Sequence, residues 1–233
     1  MGDPINAVKI FNEKLVDELL VIDIDASTHC REPDYSLLKN IAAESRMPLC
    51  YGGGIKTVDQ AKTLIGLGIE KIAISSAAIN DPQLINQIAK ELGSQSVVVV
   101  LDVKINKNGI YEVWTHNGTI NSMRTAQEVA IESEMLGAGE IVLNSIANDG
   151  CMCGYDFAVA EQVKEFINVP LTLLGGAGSL DHIGEVIKKF GLVGIAAGSL
   201  FVFKGVYRAV LINYPNEVER NNLRIENISS IKA

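Results

Sequence analysis

The sequence predicts an α/β fold, a (β/α)8 TIM barrel built from two duplicated half-barrels, with the first strand missing from this chain. Short apolar runs alternate with amphipathic helical patterns along the whole sequence, which is typical of a parallel sheet with crossover helices. The second half also repeats the first, because a shift of 122 positions carries Pro48-Leu49 onto Pro170-Leu171 and Gly53-Gly54 onto Gly175-Gly176. A repeat of about 120 residues is too long for a solenoid and indicates a duplicated half-domain.

Composition narrows the class of protein before any motif does. The 233 residues are 48% hydrophobic, which is enough to bury one full core, so we expect a single barrel domain over residues 1–233. The net charge of −8 argues against nucleic acid or an anionic membrane as a partner, since both attract an excess of Lys and Arg. The N-terminal residues lack a signal-peptide pattern and no apolar run is long enough to cross a membrane, which predicts a cytoplasmic protein.

Seven apolar runs, rich in Val and Ile, are too continuous for half-exposed strands, so we predict parallel strands that are buried on both faces. They are Leu19–Ile24, Leu49–Tyr51, Ile72–Ile74, Val97–Val103, Ile141–Leu143, Leu171–Leu174 and Val193–Ala196. Seven helical patterns accompany them, and the first has Asp3 as its N-cap followed by a proline at the first helical position. They are Pro4–Glu13, Tyr35–Glu44, Val58–Leu67, Pro82–Leu92, Thr125–Leu136, Phe157–Phe166 and Leu180–Phe190. Alternating residues within Lys104–Thr115 predict an inserted hairpin.

The number of strands favours a closed barrel over an open doubly wound sheet. The second half holds four predicted strands and the first half three, so a duplicated four-strand unit predicts eight. At the 122-residue shift, the partner of Val97–Val103 falls before Met1, and we therefore expect the barrel to be N-terminally incomplete in this sequence. An apolar strand is expected upstream, because a barrel without it leaves two edges unpaired.

Glycine pairs follow two strands at equivalent places in the two halves, and a turn containing serine follows the next strand in each half. Bare backbone N–H groups at a helix start can bind phosphate, although the glycines could also serve only to make tight turns. Their recurrence in both halves favours two phosphate sites. Facing each other across the barrel mouth, these sites would fit a long substrate with a phosphate at each end.

Asp102 follows the apolar run Val97–Leu101 at the end of its strand. It could cap a neighbouring turn or pair with Lys104. It could instead act as a general acid or base, because an apolar environment raises the pKa of a carboxyl group towards neutrality. Active sites of (β/α)8 barrels lie at these strand ends, so we favour the catalytic interpretation.

Charged residues mark the beginnings of three strands, at Glu18, Lys71 and Glu140. Charges there usually serve stability or solvation, but the repeat-related placement also allows a charged ring around an axial passage. No motif indicates a cofactor or a metal site: the three histidines are scattered, and the cysteines are too irregular for a disulfide framework or a zinc ribbon. We interpret Cys151 and Cys153 as ordinary loop cysteines.

With these residues in place, the chain resembles the HisF type of histidine biosynthesis barrel, the cyclase subunit of imidazole glycerol phosphate synthase. The resemblance covers nearly the whole chain. It is carried, in order, by the motifs at residues 2–4, 17–19, 23–27, 52–55, 100–104, 137–141, 145–146, 149–150, 154–156 and 175–178. It implies a lyase-type enzyme that forms a heterodimer with a HisH-type glutaminase and receives ammonia through the barrel. The ammonia would convert a bis-phosphorylated formimino ribulosyl intermediate to imidazole glycerol phosphate and aminoimidazole carboxamide ribotide.

The resemblance also implies roles for individual residues. Asp102 matches one of two catalytic aspartates, and Asp23 and Asn144 fall in the substrate pocket. The remaining matches are Gly54 and Ser76 at one phosphate site, Asp149, Gly150, Gly176 and Ser199 at the other, and Glu18, Lys71 and Glu140 in an ammonia gate. The family's other catalytic aspartate and its gate arginine belong to the first strand, which this sequence does not contain.

Two departures from the family pattern open a second hypothesis. Ala147-Asn148 replaces a polar charged pair near the substrate, and Asp25 together with residues 3–11 looks more like HisF-like paralogues found with surface-polysaccharide genes. The alternative is therefore a HisF-like barrel that conducts ammonia from a glutaminase to a separate amidotransferase in amidino-sugar synthesis. For that role only the rim and the passage would matter.

Overall fold

The computed structural model of the protein describes residues 2–205 and 207–228. Its main sheet contains β1 (Leu19–Ile22), β2 (Leu49–Gly52), β3 (Lys71–Ile74), β4 (Val97–Ile105), β5 (Tyr111–Thr115), β6 (Ile120–Thr125), β7 (Glu140–Ser145), β8 (Leu171–Leu174) and β9 (Gly194–Ile195). Seven of these strands are parallel, in the order β1-β2-β3-β4-β7-β8-β9. The curved sheet and its outer helices confirm the predicted α/β TIM-barrel fold.

Helices follow the strands as the sequence predicts. They are α1 (Pro4–Glu13), α2 (Tyr35–Glu44), α3 (Val58–Gly66), α4 (Ser76–Asn80), α5 (Gln83–Leu92), α6 (Ala126–Met135), α7 (Phe157–Lys164), α8 (Leu180–Phe190), α9 (Ser199–Val202) and α10 (Glu217–Ile228). The N-cap prediction for α1 is confirmed, since the carboxylate of Asp3 accepts a hydrogen bond from the backbone N–H of Ile5. The short helices α4 and α9, and the C-terminal α10, were not predicted.

The hairpin predicted after the Val97 strand is present but larger than expected. β4 continues to Ile105 and pairs antiparallel with β5, which in turn pairs with β6. The sequence prediction ended at Thr115 and missed β6. The extension carries the turn at residues 116–119 to the same end of the sheet as the Asp102 carboxylate.

The sheet separates two clusters of buried apolar residues. Val97, Val99 and Leu101 of β4 belong to the larger cluster, which also contains the inner faces of the helices. Val98 and Val100 belong to a small cluster inside the curve of the sheet, since successive residues of a strand point to opposite faces. Asp102 continues the inward series, so its side chain lies at the end of the barrel interior.

The described residues give β1 and β9 only one neighbour each in the sheet. A small hairpin of β10 (Phe203–Lys204) and β11 (Ala209–Val210) follows α9, and the chain then returns to the other end of the β1 unit. There the hydroxyl of Tyr214 donates to the Asp17 carboxylate at 2.7 Å. The C-terminal segment thus links the last and first strand units of the sheet. No helix among the described residues is long and apolar enough to cross a membrane.

Candidate active site

Asp102 lies at the centre of a small polar group at the C-terminal end of the strands. Its carboxylate accepts a hydrogen bond from Asn144 Nδ2 at 2.8 Å and from Ser75 Oγ at 3.4 Å. Asn144 is the neighbour of Asp102 across the β4–β7 pair, while Ser75 follows β3, the neighbouring strand on the other side. Three adjacent strands therefore place these side chains together, and Lys104, which the sequence offered as a partner, lies over the Trp114 ring at 5.1 Å instead.

The environment raises the pKa of Asp102. Burial is the main cause, because it disfavours the ionised carboxylate, and the negative charge of Asp149 acts in the same direction. The hydrogen bonds from Asn144 and Ser75 favour the ionised form and offset part of this increase. A carboxyl group with a raised pKa that still has two donors can both hold and release a proton, which is what general acid or base catalysis requires.

The first predicted phosphate site adjoins a real cleft. Gly54 and Ser76 line a cavity of about 340 Å³ together with Lys56 and His116, which the sequence analysis did not assign to a site. Gly54 has a φ of +72°, and a Cβ at this position would overlap the Arg31 carbonyl oxygen. Only glycine fits this turn without strain, so the backbone at Gly54 lines the cleft with no side chain between it and a ligand.

The second predicted phosphate site is made by two loops that bond to each other. Gly154 N–H donates to the Gly176 carbonyl at 2.8 Å, and Asn148 Nδ2 donates to the Gly154 carbonyl at 3.0 Å. The guanidinium of Arg208 donates to the Gly150 carbonyl, which places a cation beside this loop that sequence analysis missed. Ser199 begins α9, on the next strand unit along the sheet.

The two serines open helices of only five and four residues, α4 and α9. Such short helices contribute little macrodipole, so anion binding at these sites would depend on glycine N–H groups and on nearby hydroxyls and cations rather than on helix starts. Asp23, predicted to lie in the substrate pocket, accepts bonds from the N–H groups of Asp25 and Ala26 and pairs with Arg31 at 3.4 Å, so it orders the loop after β1.

The opposite end of the sheet brings together the three charged residues predicted there. Lys71 Nζ lies 2.9 Å from carboxylate oxygens of both Glu18 and Glu140. Thr172 Oγ1 donates to the other oxygen of Glu140 at 2.6 Å. Burial by itself lowers the pKa of Lys71, but the hydrogen bonds and charges of the two glutamates raise it by more. We call these four residues the rim cluster.

Between the rim cluster and Asp102, the barrel interior is lined by apolar side chains. Its buried side chains are Cys50, Ala73, Val98, Val100 and Val142, with Leu20 and Leu174 packed against them. Val100 on β4 and Val142 on β7 belong to this apolar layer. The next inward-facing residues on the same two strands, two positions later, are Asp102 and Asn144. Glu140 and Asn144 are four residues apart on β7, which corresponds to about 13 Å along the strand at a rise of about 3.3 Å per residue.

Burial raises the pKa of the Cys50 thiol, and the nearby Glu18 and Glu140 carboxylates raise it further. All four cysteines carry free thiols, with Cys30, Cys151 and Cys153 exposed. Among the described residues, no group of three or more His, Cys, Asp or Glu side chains is arranged to hold a metal ion.

We expect Gly176→Ala to destabilise the protein much more than Gly150→Ala. Both glycines have positive φ, but a Cβ at Gly176 would overlap the Gly154 carbonyl oxygen, whereas the space around Gly150 is open. The Gly150 variant should cost about 1 kcal/mol for the left-handed backbone, and the Gly176 variant several times more. Chemical denaturation of the two variants measures this. Equal losses would show that the loop contact at Gly176 does not constrain the backbone.

The fold and the site define a class: a TIM-barrel protein with a half-buried carboxyl group and two glycine-containing loops at one end, and a charged cluster at the other. The sequence model of the family described as histidine biosynthesis protein matches residues 1–208. The chain belongs to this family, and it is a HisF-like member of it.

Three relatives illustrate where in the family the chain lies. It is 52% identical to imidazole glycerol phosphate synthase subunit HisF of Leptospira borgpetersenii, over 96% of this chain and 88% of that protein. It is 53% identical to subunit hisF3 of Vibrio vulnificus, over 94% of this chain and 85% of that protein. The names of both mark the assignment as provisional. The unqualified subunit HisF of Hydrogenobaculum sp. is 36% identical, over 96% of this chain and 88% of that protein.

Proposed function

We propose that this protein is the cyclase subunit of an imidazole glycerol phosphate synthase and acts in the cytoplasm with a glutaminase subunit of the HisH type. The substrate would be the bis-phosphorylated formimino ribulosyl intermediate of histidine biosynthesis. Ammonia released by the glutaminase would enter at the rim cluster and react at the opposite end. The products would be imidazole glycerol phosphate and aminoimidazole carboxamide ribotide.

The observation that carries this proposal is the order of side chains along the barrel interior. A charged cluster, an apolar layer and a carboxyl group of raised pKa follow one another along the same strands. An apolar layer disfavours the ammonium ion, because burying an unpaired charge is costly, but it can pass neutral ammonia. The raised pKa of the Cys50 thiol keeps that layer uncharged.

At the mouth, each residue would have a separate task. Asp102 would accept a proton from the attacking nitrogen and return one to the leaving group, while Asn144 and Ser75 hold its carboxylate in position. Gly54 and Ser76 would bind one phosphate, and Asp149, Gly150, Gly176 and Ser199 would form the site for the other. Binding at both ends would fix the reacting centre beside Asp102.

A second candidate function is favoured by the comparisons. Two relatives above 50% identity have provisional names, one of them numbered as hisF3, while an unqualified HisF protein is 36% identical. Ala147-Asn148 also lies in the loop that ends at Gly150, where the family pattern has a charged pair. The alternative is an ammonia-conducting partner of a glutaminase and a sugar amidotransferase.

One assay separates the two functions. The full-length protein is combined with its glutaminase and given the bis-phosphorylated substrate with either glutamine or an ammonium salt. The cyclase proposal requires imidazole glycerol phosphate from both nitrogen sources. The alternative requires no product from either source, although the glutaminase still binds and is still stimulated.

A further inference from the structure

His116 is a titratable side chain that the mechanism above does not use. It lies in the turn between β5 and β6 and lines the same cleft as Gly54 and Ser76. The turn is unusual, because His116 and Asn117 both have left-handed backbones, with φ of +52° and +56°. Such conformations are uncommon for residues other than glycine, and here they belong to the tight hairpin turn that the hydrogen bond from Thr119 N–H to the Thr115 carbonyl closes at 3.1 Å.

Two hydrogen bonds fasten His116 to the cleft. Its backbone N–H donates to Ser76 Oγ at 3.2 Å, which links the turn directly to the predicted phosphate site. Its ring Nδ1 lies 3.0 Å from the hydroxyl of Thr115. Within the described part of the chain, Nε2 makes no hydrogen bond and is the ring nitrogen left for a ligand.

The charges around this cleft are few. Lys56 supplies an ammonium group, Asp81 a carboxylate, and Cys30 a thiol. A neutral imidazole has one N–H donor, whereas an imidazolium has two and a positive charge. The charges of Lys56 and Asp81 cancel, so protonation of His116 would make the net charge of the residues lining the cleft positive.

We propose that His116 is a protonation-controlled ligand for a phosphate-like dianion in the Gly54–Ser76 cleft. The inference rests on the proposed function only in taking this cleft as an anion site. Nε2–H of the imidazolium donates to the anion, so affinity is highest at low pH and falls as the pH rises through the titration of His116. One end of a bis-phosphorylated ligand would then be held in a pH-dependent manner.

The histidine near the other phosphate site has the opposite arrangement. His182 Nδ1 accepts a hydrogen bond from Gly178 N–H at 3.1 Å, and only an unprotonated Nδ1 can accept. Protonation of His182 would break this loop contact rather than add a ligand. Anion binding at the two predicted phosphate sites should therefore depend differently on pH, although their glycines occupy equivalent positions in the repeat.

The chain has only three histidines, which allows each imidazole to be followed by NMR. Sulfate is the probe, because it remains a dianion between about pH 5 and 9, whereas phosphate esters titrate near pH 6 and would confuse the result. Signals are assigned from the variants His116→Gln and His29→Gln. We expect saturating sulfate to raise the titration midpoint of His116 by about one pH unit, equivalent to about tenfold tighter binding to the imidazolium. The midpoints of His29 and His182 should not rise.

The variants supply the matched comparison. His116→Gln should bind sulfate about tenfold more weakly at low pH and with no pH dependence, whereas His29→Gln, at an exposed position outside the cleft lining, should match the wild type. Ser76→Ala should weaken binding at every pH. If sulfate binds but neither moves the His116 midpoint nor depends on pH, the role of His116 is wrong and the anion site stands. If sulfate moves no signal and Ser76→Ala changes nothing, the anion site is wrong as well.

Discussion

In the full-length protein, Asp102→Asn should lower cyclase turnover by about 100-fold or more, while stimulation of the glutaminase stays near the wild-type level. The amide keeps the size of the side chain and can still accept from Asn144 and donate to Ser75, so the polar group at the mouth should persist. What is lost is the proton-transfer group. Steady-state kinetics with an ammonium salt, which bypasses the glutaminase, measures the effect. Turnover that survives the change would remove Asp102 from the mechanism.

The same variant makes a second, independent prediction about stability. Burial raises the pKa of Asp102, so the folded protein binds this proton more tightly than the unfolded chain does. Above the folded-state pKa, the ionised carboxylate therefore lowers the free energy of unfolding. Asp102→Asn should therefore raise the free energy of unfolding at pH 7, and this gain should disappear as the pH falls below about 4, near the unfolded value for aspartate. The control is Asp59→Asn on the exposed first turn of α3. If the ionised Asp102 carboxylate instead stabilised the fold, Asp102→Asn would lower the free energy of unfolding at pH 7.

Lys71→Met should uncouple glutamine hydrolysis from product formation. The substitution leaves the carboxylates of Glu18 and Glu140 without their shared positive charge, and their mutual repulsion should open or distort the rim cluster. We expect glutamine-dependent turnover to fall about tenfold, within the usual range for coupling between sites, while ammonium-dependent turnover is preserved. The cluster is only partly exposed, so the free energy of unfolding should also fall, by about 1–3 kcal/mol.

The control for the rim is Lys62→Met. Lys62 pairs with Glu91 at 2.6 Å on the outer helices, a contact that resembles the Lys71 pairs in chemistry but is more exposed to solvent. It should leave both activities unchanged, since an exposed pair contributes little. Equal losses with glutamine and ammonium for Lys71→Met would show that the rim cluster supports the fold and does not conduct or couple.

The sequence predicted the strands and the larger helices because their pattern is set locally. The Val and Ile runs are typical of buried strands, and the N-cap Asp3 marks where α1 begins. β6 was missed because it is half-exposed and irregular, with the register shifting between Glu112 and Trp114. α10 was missed because its sequence is polar, and its position depends on packing against α8, which no local pattern states.

The candidate site was predictable where it follows from the parallel strands. Glu18, Lys71 and Glu140 begin strands that point the same way, so their meeting at one rim follows from the topology. Asn144 lies beside Asp102 because β4 pairs with β7. These two strands are not consecutive in the sequence, since the β5–β6 hairpin separates them. His116 could not be placed, because its position depends on the length and register of the β5–β6 hairpin.

Trp114 gives the barrel mouth a property of its own. It lies directly across the β4–β5 pair from Asp102, its indole nitrogen is buried without a hydrogen-bond partner in the described residues, and Lys104 lies over its ring. It is also the only tryptophan in the chain. Indole emission from this protein therefore comes from a single place, one strand away from the carboxyl group, so binding and ionisation at the mouth can be followed by fluorescence without attaching a dye.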